Sequence, residues 1–422
     1  MLQRIAMLST HGYFDPVPQL GQTDTGGQVV YVLELSKALR RLGVKVDIYT
    51  RWFDKNRKQI DPVPGFDDLN VIRIPAGPWQ FIPKEQIYPV LPELAQNMIR
   101  FIEEQGWNYD LFHGHYVDAG IVTLDVAKHF GRPAFFTAHS LGAWKKERMA
   151  DEGTPEELER KYNFSLRIKE ETRIFRSVLA HTVTSEVQLQ KLRELYDVPT
   201  DNVEVIPPGV DIYRFHPPKP DTPKPKGVPD NYIFCLSRID TNKGHRELLL
   251  AFDLVRKEMD DVYLVIGGGS PNPGPREKEV LATIHEIINT HNLQDRVIMY
   301  GYVPDDQLPL LYQHSRFFVL PSKFEPFGMT SQEAMACGKT VVASKFGGVR
   351  EVIKDGETGI LIDPSDSRQF ADAMLRLLRN PQMAEQIGRR ARKLIEEHYS
   401  WDAMARRHLQ FYEKWISKTS AN

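Results

Sequence analysis

The sequence predicts an α/β protein of two domains, each built around a parallel sheet. Three observations support this prediction. The 422 residues exceed what one ordinary hydrophobic core serves. Short β-branched or aromatic runs alternate with longer amphipathic runs, a pattern typical of parallel strands covered by helices on both faces. A proline-rich segment interrupts this alternation near the middle of the chain.

The first half of the chain contains the runs that predict the first sheet. These strand candidates are residues 5–9, 44–49, 71–74, 110–113, 134–138, 178–183 and 203–206. Between the first two, Val30, Leu33, Ala38 and Leu42 recur at helical spacing and predict a helix over 29–42.

The segment 216–229 holds six prolines and almost no large apolar side chains. Because proline blocks both helix continuation and strand pairing, we expect a semi-rigid linker and the clearest domain boundary here. The alternation then resumes, with strands expected at 232–236, 262–266, 297–300, 317–320, 340–343 and 359–362. Helices are expected between them, among them 245–259, 276–290 and 305–314.

The chain ends with apolar residues at intervals of three and four, which predict a strongly apolar helix face. They are Trp401, Met404, His408, Phe411, Tyr412 and Trp415. We expect this helix to return to the first domain. The predicted domains are therefore 1–208, 209–399 and the helix 400–422.

Composition excludes several classes of protein. The net charge of −2 gives no general reason to expect nucleic acid or an anionic membrane as partner. The two cysteines lie in apolar runs and suggest neither a disulfide framework nor a metal site. The apolar stretch within residues 1–9 is too short for a secretion signal, and no segment resembles a membrane span. We therefore expect a cytoplasmic protein.

Glycines open the first helix in the run Asp24-Thr25-Gly26-Gly27-Gln28. They would let a ligand approach bare N–H groups at a helix N-terminus, although a tight turn alone would also need them. The order G-x-G-x-x-G is absent, which lowers the expectation of a nicotinamide dehydrogenase.

Two permanent cations, Arg238 and Lys243, follow the first strand of the second half. An arginine fork and a mobile lysine suit a diphosphate, whereas the alternative is a solvated loop whose charges face water.

The run 324–338 is the most specific motif, and it predicts a helix that begins near Phe327 and Gly328. Its first N–H groups, from Phe327 to Thr330, suit phosphate or sugar oxygens. Glu325 and Glu333 lie eight residues apart, or about 12 Å along a helix. That separation is too long for the paired carboxylates of a retaining glycosidase, so we expect each to hold its own hydroxyl pair.

His139 closes the strand 134–138 and would point into a ligand site, although a lone histidine is commonly structural. No G-x-S-x-G motif accompanies it. Cations cluster in the same half at Lys84, Lys145, Lys146 and Arg167, where a solvated charged face is the alternative.

With these motifs, the chain resembles the retaining glycosyltransferases of family 4, whose GT-B fold has two Rossmann-like domains facing across a cleft. The pairing of S-R-x-D-x-x-K-G with E-x₇-E carries the resemblance, which covers nearly the whole chain. The runs 21–28 and 139–145 are similar to those of sucrose-phosphate synthases and sucrose synthases.

The resemblance implies roles for individual residues. The residues expected to carry the chemistry are His139, Arg238, Lys243 and Glu325. The residues expected to bind the donor are Gly27, Val303, Phe327, Gly328, Met329, Thr330 and Glu333. The residues expected to face the acceptor are Gly26, Gln28, Lys84, Tyr116, Ser140, Lys145 and Arg167.

The resemblance also implies an activity: transfer of glucose from UDP-glucose to fructose 6-phosphate, which gives sucrose 6-phosphate and UDP without a metal or other cofactor. Only small-molecule substrates are expected as partners. Sucrose-phosphate synthases usually carry two arginines where this chain has Arg167 alone, which leaves open a sucrose synthase that uses free fructose. A non-catalytic nucleotide-sugar-binding protein is the alternative from another class.

Overall fold

The computed structural model describes residues 2–17, 27–151, 153–323, 325 and 328–420. The chain divides into two compact units. Unit 1 comprises Met1–Gly209 with Trp401–Asn422, and unit 2 comprises Val210–Ser400. The sequence placed these divisions at 208/209 and 399/400.

Within the described residues, unit 1 contains an eight-stranded sheet in the order β3-β4-β2-β1-β5-β6-β7-β8. All neighbours are parallel except β3, which pairs antiparallel with β4 at the edge. The strands are β1 (Arg4–Leu8), β2 (Lys45–Trp52), β3 (Ile60–Pro62), β4 (Leu69–Pro75), β5 (Leu111–His115), β6 (Ala134–Thr137), β7 (Ala180–Val183) and β8 (Val203–Val205).

Helices alternate with these strands, as the amphipathic runs predict. They are α1 (Gly27–Arg41), α2 (Leu91–Gln105), α3 (Val117–Phe130), α4 (Gly142–Arg148), α5 (Pro155–Tyr162), α6 (Phe164–Ser177) and α7 (Glu186–Leu195). A 3₁₀ turn, Tyr88–Val90, precedes α2. The ends follow local chemistry: Thr154 and Glu157 form a capping box at the start of α5.

Unit 2 contains, among the described residues, a six-stranded parallel sheet in the order β11-β10-β9-β12-β13-β14. Its strands are β9 (Tyr232–Leu236), β10 (Tyr263–Gly267), β11 (Val297–Gly301), β12 (Phe318–Leu320), β13 (Val341–Ser344) and β14 (Ile360–Ile362). Its helices are α8 (His245–Arg256), α9 (Pro275–Thr290), α10 (Leu308–His314), α11 (Met329–Ala336), α12 (Val349–Val352), α13 (Ser367–Arg379) and α14 (Pro381–Leu394). A π-helical turn, Ile395–Tyr399, follows α14.

The six parallel strands of unit 2 follow the doubly wound order 3-2-1-4-5-6. Those of unit 1 follow the same order with a seventh strand, β8, at the end, which confirms the predicted pair of Rossmann-like folds. The order reverses between β1 and β5 in unit 1, and between β9 and β12 in unit 2. Ligands of such sheets bind beyond the carboxyl ends of the strands at this reversal. The loops after these four strands are therefore where a site is expected.

The prediction that the proline-rich segment 216–229 marks the domain boundary is wrong. The division falls earlier, between Gly209 and Val210, and the segment belongs to unit 2. The His216 carbonyl accepts a hydrogen bond from Gln313 at 2.8 Å, and the Lys226 N–H donates to Gln307 at 3.1 Å. Proline excludes helix and sheet, but it does not prevent an extended segment from packing on its own domain.

Two further elements differ from the sequence prediction. The sequence does not predict strand β3, because the strand has only three residues, one of them is proline and none of them is buried. Helix α10 starts at Leu308 rather than at residue 305, because residues 304–307 form a turn in which the Gln307 N–H bonds to the Pro304 carbonyl.

The C-terminal helix α15 (Trp401–Ser420) packs on unit 1, as its apolar face predicts. Phe411 is 1% exposed, and its ring lies 5.2 Å from that of Phe135 on β6. The Tyr412 hydroxyl lies 2.6 Å from Nδ1 of His113 on β5. The helix therefore completes the core under the first sheet.

Replacing Phe411 by alanine should lower the free energy of unfolding of unit 1 by about 3–5 kcal/mol, because it removes a buried aromatic ring. Urea denaturation followed by far-UV circular dichroism measures this loss. Glu413→Ala on the exposed side of the same helix is the control and should change stability by less than about 0.5 kcal/mol. Equal effects of the two substitutions would contradict the packing of this helix.

Unit 1 also buries several histidines. Burial lowers the pKa of His181 and of His139 to about 3, and that of His408 to about 4. It also lowers the pKa of His113 and of His115 well below the usual value. These imidazoles are neutral at physiological pH.

Unit 1 should therefore lose stability in mild acid. Below about pH 6.5 these histidines bind protons in the unfolded chain but not in the folded protein. The free energy of unfolding is therefore highest above that pH and falls as the pH decreases toward 4. Each histidine contributes a slope of at most about 1.4 kcal/mol per pH unit. Urea titrations at stepped pH measure the slope, and His181→Phe should reduce it. A stability that stays flat between pH 6.5 and 5 would refute this account.

Candidate active site

The loop after β9 carries the two cations predicted to bind a diphosphate. Arg238 is exposed and lines a cavity of about 550 Å³. Lys243 ends a 3₁₀ turn, Thr241–Lys243, which the side chain of Asp240 caps. The Lys243 ammonium lies 2.7 Å from the Glu325 carboxylate, and the two side chains are only 15% and 16% exposed. The loops after β9 and β12 therefore meet at this ion pair.

Several contacts hold Glu325 in place. The Ser322 hydroxyl donates to the same carboxylate oxygen that Lys243 contacts, at 3.2 Å. The Gly348 N–H donates to the Glu325 carbonyl at 2.8 Å, and Glu325 pairs with Gly347 as an isolated parallel bridge. Glu325 thereby fixes the position of the lysine ammonium.

The cavity lies beyond the carboxyl ends of β9, β10 and β11. Three predicted residues line it, Arg238, Val303 and Thr330, together with the exposed ring of Tyr302. Gly268 lines it with φ near 120°, where any Cβ would overlap the Ser237 carbonyl oxygen. A volume of about 550 Å³ is within the range of pockets for small organic ligands. The sequence did not identify Tyr302, whose aromatic ring beside Val303 suits a flat base.

Helix α11 begins next to this cavity. Gly328 precedes it with φ near 73°, and a Cβ there would overlap Val349, so glycine is required. The first N–H groups of the helix, at Met329 and Thr330, have no intrahelical acceptor and can bind an anion or a hydroxyl. Phe327 lies outside the described residues.

Glu333 lies further along α11 and is partly buried. The Tyr312 hydroxyl donates to its carboxylate at 2.9 Å, and burial raises its pKa to about 7. Glu325 and Glu333 thus have different partners, Lys243 and Tyr312, which agrees with separate roles for the two carboxylates.

In unit 1, His139 follows β6 with a left-handed backbone, φ near 56°. Its Nε2 lies 3.0 Å from Nδ1 of His115, and the ring meets Tyr31 edge-on at 4.8 Å. Because its pKa is about 3, His139 is a neutral hydrogen-bonding group rather than an acid.

The glycine-rich loop is described only from Gly27, the first and exposed residue of α1, and Gly26 lies outside the described residues. The side-chain amide of Gln28 donates to the Ser9 hydroxyl and to the His115 carbonyl, both at 3.1 Å. Gln28 thereby ties α1 to the residue after β1 and to the last residue of β5, the two strands between which the order reverses.

Tyr116 adopts a backbone conformation that side chains other than glycine rarely take, with φ near 77° and ψ near 164°. Such a conformation costs about 1–3 kcal/mol and is commonly found at functional sites. Its buried ring has the Arg167 guanidinium 4.6 Å from the centroid. The strained backbone of Tyr116 therefore favours a functional role for the junction between β5 and α3.

Arg167, predicted to face the acceptor, is buried. It is 4% exposed, pairs with Glu171 at 2.8 Å, and donates to the carbonyl and the hydroxyl of Ser140. Burial alone would lower the pKa of Arg167, but Glu171 raises it. Its charge is therefore largely compensated, and its contacts position Ser140 and Tyr116.

Lys84 and Lys145 are partly exposed. Lys145 lies on α4 with its ammonium 4.4 Å from the ring centroid of Tyr162. Lys84 lies in the loop that follows β4. Both lysines are therefore more exposed than Arg167.

The sequence did not identify a buried histidine–aspartate pair at the reversal point of the first sheet. Nδ1 of His11 lies 3.0 Å from both carboxylate oxygens of Asp118, and the Thr10 hydroxyl donates to the same carboxylate. Burial alone would raise the pKa of Asp118, but His11 and Thr10 lower it. The only available signal was a carboxylate in the otherwise apolar start of α3.

Among the residues that the structure describes, no group of three or more His, Cys, Asp or Glu side chains is arranged as a metal site. None of the helices in the described part of the chain combines the length and apolar character that a membrane crossing needs.

Comparisons with known proteins identify the family of this chain. Residues 25–214 match the model described as Glycosyltransferase Family 4, and residues 219–394 match that of Glycosyl transferases group 1. The mannosylfructose-phosphate synthase of Agrobacterium fabrum is 35% identical over 97% of this chain and 91% of its own length. A D-inositol 3-phosphate glycosyltransferase of Xylanimonas cellulosilytica is 31% identical over 99% of this chain and 98% of its own.

A solved structure of sucrose-phosphate synthase from Thermosynechococcus elongatus superposes with a TM-score of 0.73 at 28% identity, covering 99% of this chain and 100% of that one. The agreement extends over both Rossmann-like units. From the full-length similarity at 35% identity and the two matching models, this chain belongs to the family 4 glycosyltransferases.

Proposed function

We propose that the protein transfers glucose from UDP-glucose to fructose 6-phosphate, giving sucrose 6-phosphate and UDP with retention at the anomeric carbon. The main support for UDP-glucose as the donor is that Arg238, the Lys243–Glu325 pair and the start of α11 lie close together in unit 2.

The donor half follows from the chemistry of these groups. A nucleoside diphosphate needs cations and N–H donors for its phosphates, and an apolar or aromatic surface for its base. Arg238 and Lys243 supply the cations, the first N–H groups of α11 supply donors, and Val303 and Tyr302 line the cavity beside them. Glu333, with its pKa near 7, would accept hydrogen bonds from the ribose.

The acceptor half is supported by the names of the related proteins. A mannosylfructose-phosphate synthase, a sucrose-phosphate synthase and a D-inositol 3-phosphate glycosyltransferase are each named for a phosphorylated compound. Lys84 and Lys145 in unit 1 would supply the charge for such a phosphate.

In the proposed reaction the acceptor hydroxyl attacks the face that the diphosphate leaves. The bond from the anomeric carbon to the phosphate oxygen breaks as the new glycosidic bond forms, and the departing phosphate takes the hydroxyl proton. Arg238 and Lys243 stabilise the charge that develops on this phosphate. The ion-paired Glu325 orients Lys243 and is not required as a nucleophile.

A second candidate is transfer of mannose to the same acceptor, because the 35% identical relative is a mannosylfructose-phosphate synthase. A sucrose synthase that uses free fructose, and a nucleotide-sugar-binding protein without activity, are the remaining alternatives.

Incubating the protein with UDP-glucose and fructose 6-phosphate should give a disaccharide phosphate that phosphatase converts to sucrose. Parallel reactions with GDP-mannose, ADP-glucose, free fructose and D-inositol 3-phosphate identify the preferred pair by product mass. Because the cations of the protein replace a metal, turnover should persist in a chelator. A preference for free fructose would favour a sucrose synthase, and a preference for GDP-mannose would favour mannose transfer. If no combination gives a product, the protein is a nucleotide-sugar-binding protein without activity. Each of these results would overturn the proposal.

Lys243→Ala should reduce turnover about 10- to 200-fold, because it removes a charge-assisted contact worth roughly 1.5–3 kcal/mol. Steady-state kinetics with saturating acceptor measures the loss. The matched control is Lys257→Ala, which breaks a 2.8 Å pair with Asp253 on α8 and should leave kcat unchanged. Turnover of Lys243→Ala within a factor of two of the wild type would exclude the proposed role.

A further inference from the structure

A second cavity lies in unit 2 next to the one lined by Arg238. Its volume is about 350 Å³, which is within the range of sites for small organic ligands. Its walls come from the start of α8, from α9 and from the loops after β9 and β12. The two cavities share one lining residue, Asp240. The residues that the sequence predicts to bind donor or acceptor do not line this second cavity.

Two arginines and a helix start give the second cavity the groups that bind phosphate. Arg246 on α8 and Arg276 at the start of α9 each carry a planar guanidinium, which binds phosphate oxygens through paired N–H donors. Helix α8 begins at His245, and none of the described side chains caps it. The first N–H groups of this helix are therefore available to an anion.

The carboxylates that line the second cavity are largely committed to other partners. Glu247 pairs with Lys323 at 3.3 Å. The Asp240 carboxylate accepts a hydrogen bond from the N–H of Asn242 at 3.0 Å. Glu279 is exposed on α9, where it can accept hydrogen bonds from hydroxyl groups.

The wall that α9 contributes suits the rest of a phosphorylated molecule. Thr283 lies about two turns beyond Arg276, or about 10 Å along the helix. Val280 and Ile284 provide apolar surface on this stretch. The Thr283 hydroxyl and the Glu279 carboxylate can bond to hydroxyl groups. A ligand that matches this wall carries a phosphate at one end and a hydroxylated chain or ring behind it.

His245 has hydrogen-bonding capacity that the protein leaves unused. The residue is 2% exposed, and Nδ1 of its ring is buried without a hydrogen-bond partner among the described residues. Such an atom is commonly satisfied by a bound ion or water. Nε2 of the same ring lies 3.1 Å from the hydroxyl of Ser237, which lines the first cavity. His245 thus connects a lining residue of the first cavity to the second.

Asp240 couples the second cavity to the cations of the first. Its side chain caps the turn Thr241–Lys243, which ends at the lysine expected to bind the diphosphate. The N–H of Asn242, together with the charges of Arg276 and Arg238, lowers the pKa of Asp240. An anion bound to Arg276 would offset that positive charge, so the attraction of Asp240 for Arg238 would increase. Arg238 would then be less available to a diphosphate.

We propose that the second cavity binds a small hydroxylated phosphate monoester, and that its occupation weakens the binding of UDP at Arg238. This inference goes beyond the transfer reaction and rests on the proposed function only for UDP as the ligand of the first cavity. Because coupling between two sites is reciprocal, bound UDP weakens the binding of the phosphate monoester by the same factor, which we expect to be about 5-fold.

Calorimetric titration with UDP at rising concentrations of glycerol 3-phosphate tests the coupling in the wild-type protein. The apparent Kd for UDP should rise about 5-fold and then reach a plateau, because the two ligands occupy different cavities. An apparent Kd that keeps rising in proportion to glycerol 3-phosphate would show direct competition at one site and would overturn the inference. An apparent Kd that does not change would overturn it as well.

Arg246→Ser tests the location of the site, because Arg246 lines the second cavity and not the first. The variant should keep its affinity for UDP alone, whereas the glycerol 3-phosphate concentration that gives half the effect should rise about 10-fold, the value of one charge-assisted contact. Lys278→Ala is the matched control, since it removes an exposed charge of α9 that lines neither cavity. A wild-type response in Arg246→Ser would contradict the inference.

These titrations need neither an acceptor nor turnover, so their outcome does not depend on which sugar is transferred. If UDP does not bind, the proposed function fails, and direct titration with glycerol 3-phosphate still tests the second cavity. That binding should weaken about 10-fold in Arg246→Ser and stay unchanged in Lys278→Ala. Equal binding by the two variants would exclude the second cavity as the site.

Discussion

The ion pair between Lys243 and Glu325 is the interaction on which the proposed donor site in unit 2 depends. It joins the loop after β9 to the loop after β12, which flank the reversal of strand order in unit 2. A lysine has a long flexible stem, so its ammonium takes a defined position only where a carboxylate holds it. Glu325 can do so because its own backbone is fixed by Gly347 and Gly348. The partial exposure of the pair leaves the ammonium available to a second anion.

The same topological rule positions the polar groups of unit 1. Where the order reverses between β1 and β5, the chain places His11, Asp118 and the strained Tyr116, and His139 lies in the loop after the neighbouring strand β6. These groups are mostly buried, and none of them is an exposed cation such as Arg238 of unit 2. Such an environment suits recognition of uncharged hydroxyl groups by oriented hydrogen bonds, with Lys84 and Lys145 retaining the exposed charge.

The sequence predicted what depends on periodicity and on local chemistry. Apolar runs predict every strand of both sheets except β3 to within a few residues, and the apolar face of residues 401–415 predicts a helix returning to the first domain. It failed where the outcome depends on tertiary partners. Prolines at 216–229 indicate extended chain but not which unit that chain packs on. The sequence likewise does not predict that Arg167 pairs with Glu171, four residues later; its role toward an acceptor stays a prediction. Arg246 and Arg276 lie on different helices, so no spacing in the sequence could relate them to one cavity.

The central claim is that Lys243, held by Glu325, binds the second phosphate of a nucleoside diphosphate. Calorimetric titration of the wild-type protein and of Lys243→Ala with UDP and with UMP tests it most directly. The wild type should bind UDP more tightly than UMP, and the variant should lose most of that difference while its affinity for UMP changes little. An undiminished preference for UDP in the variant would contradict the account.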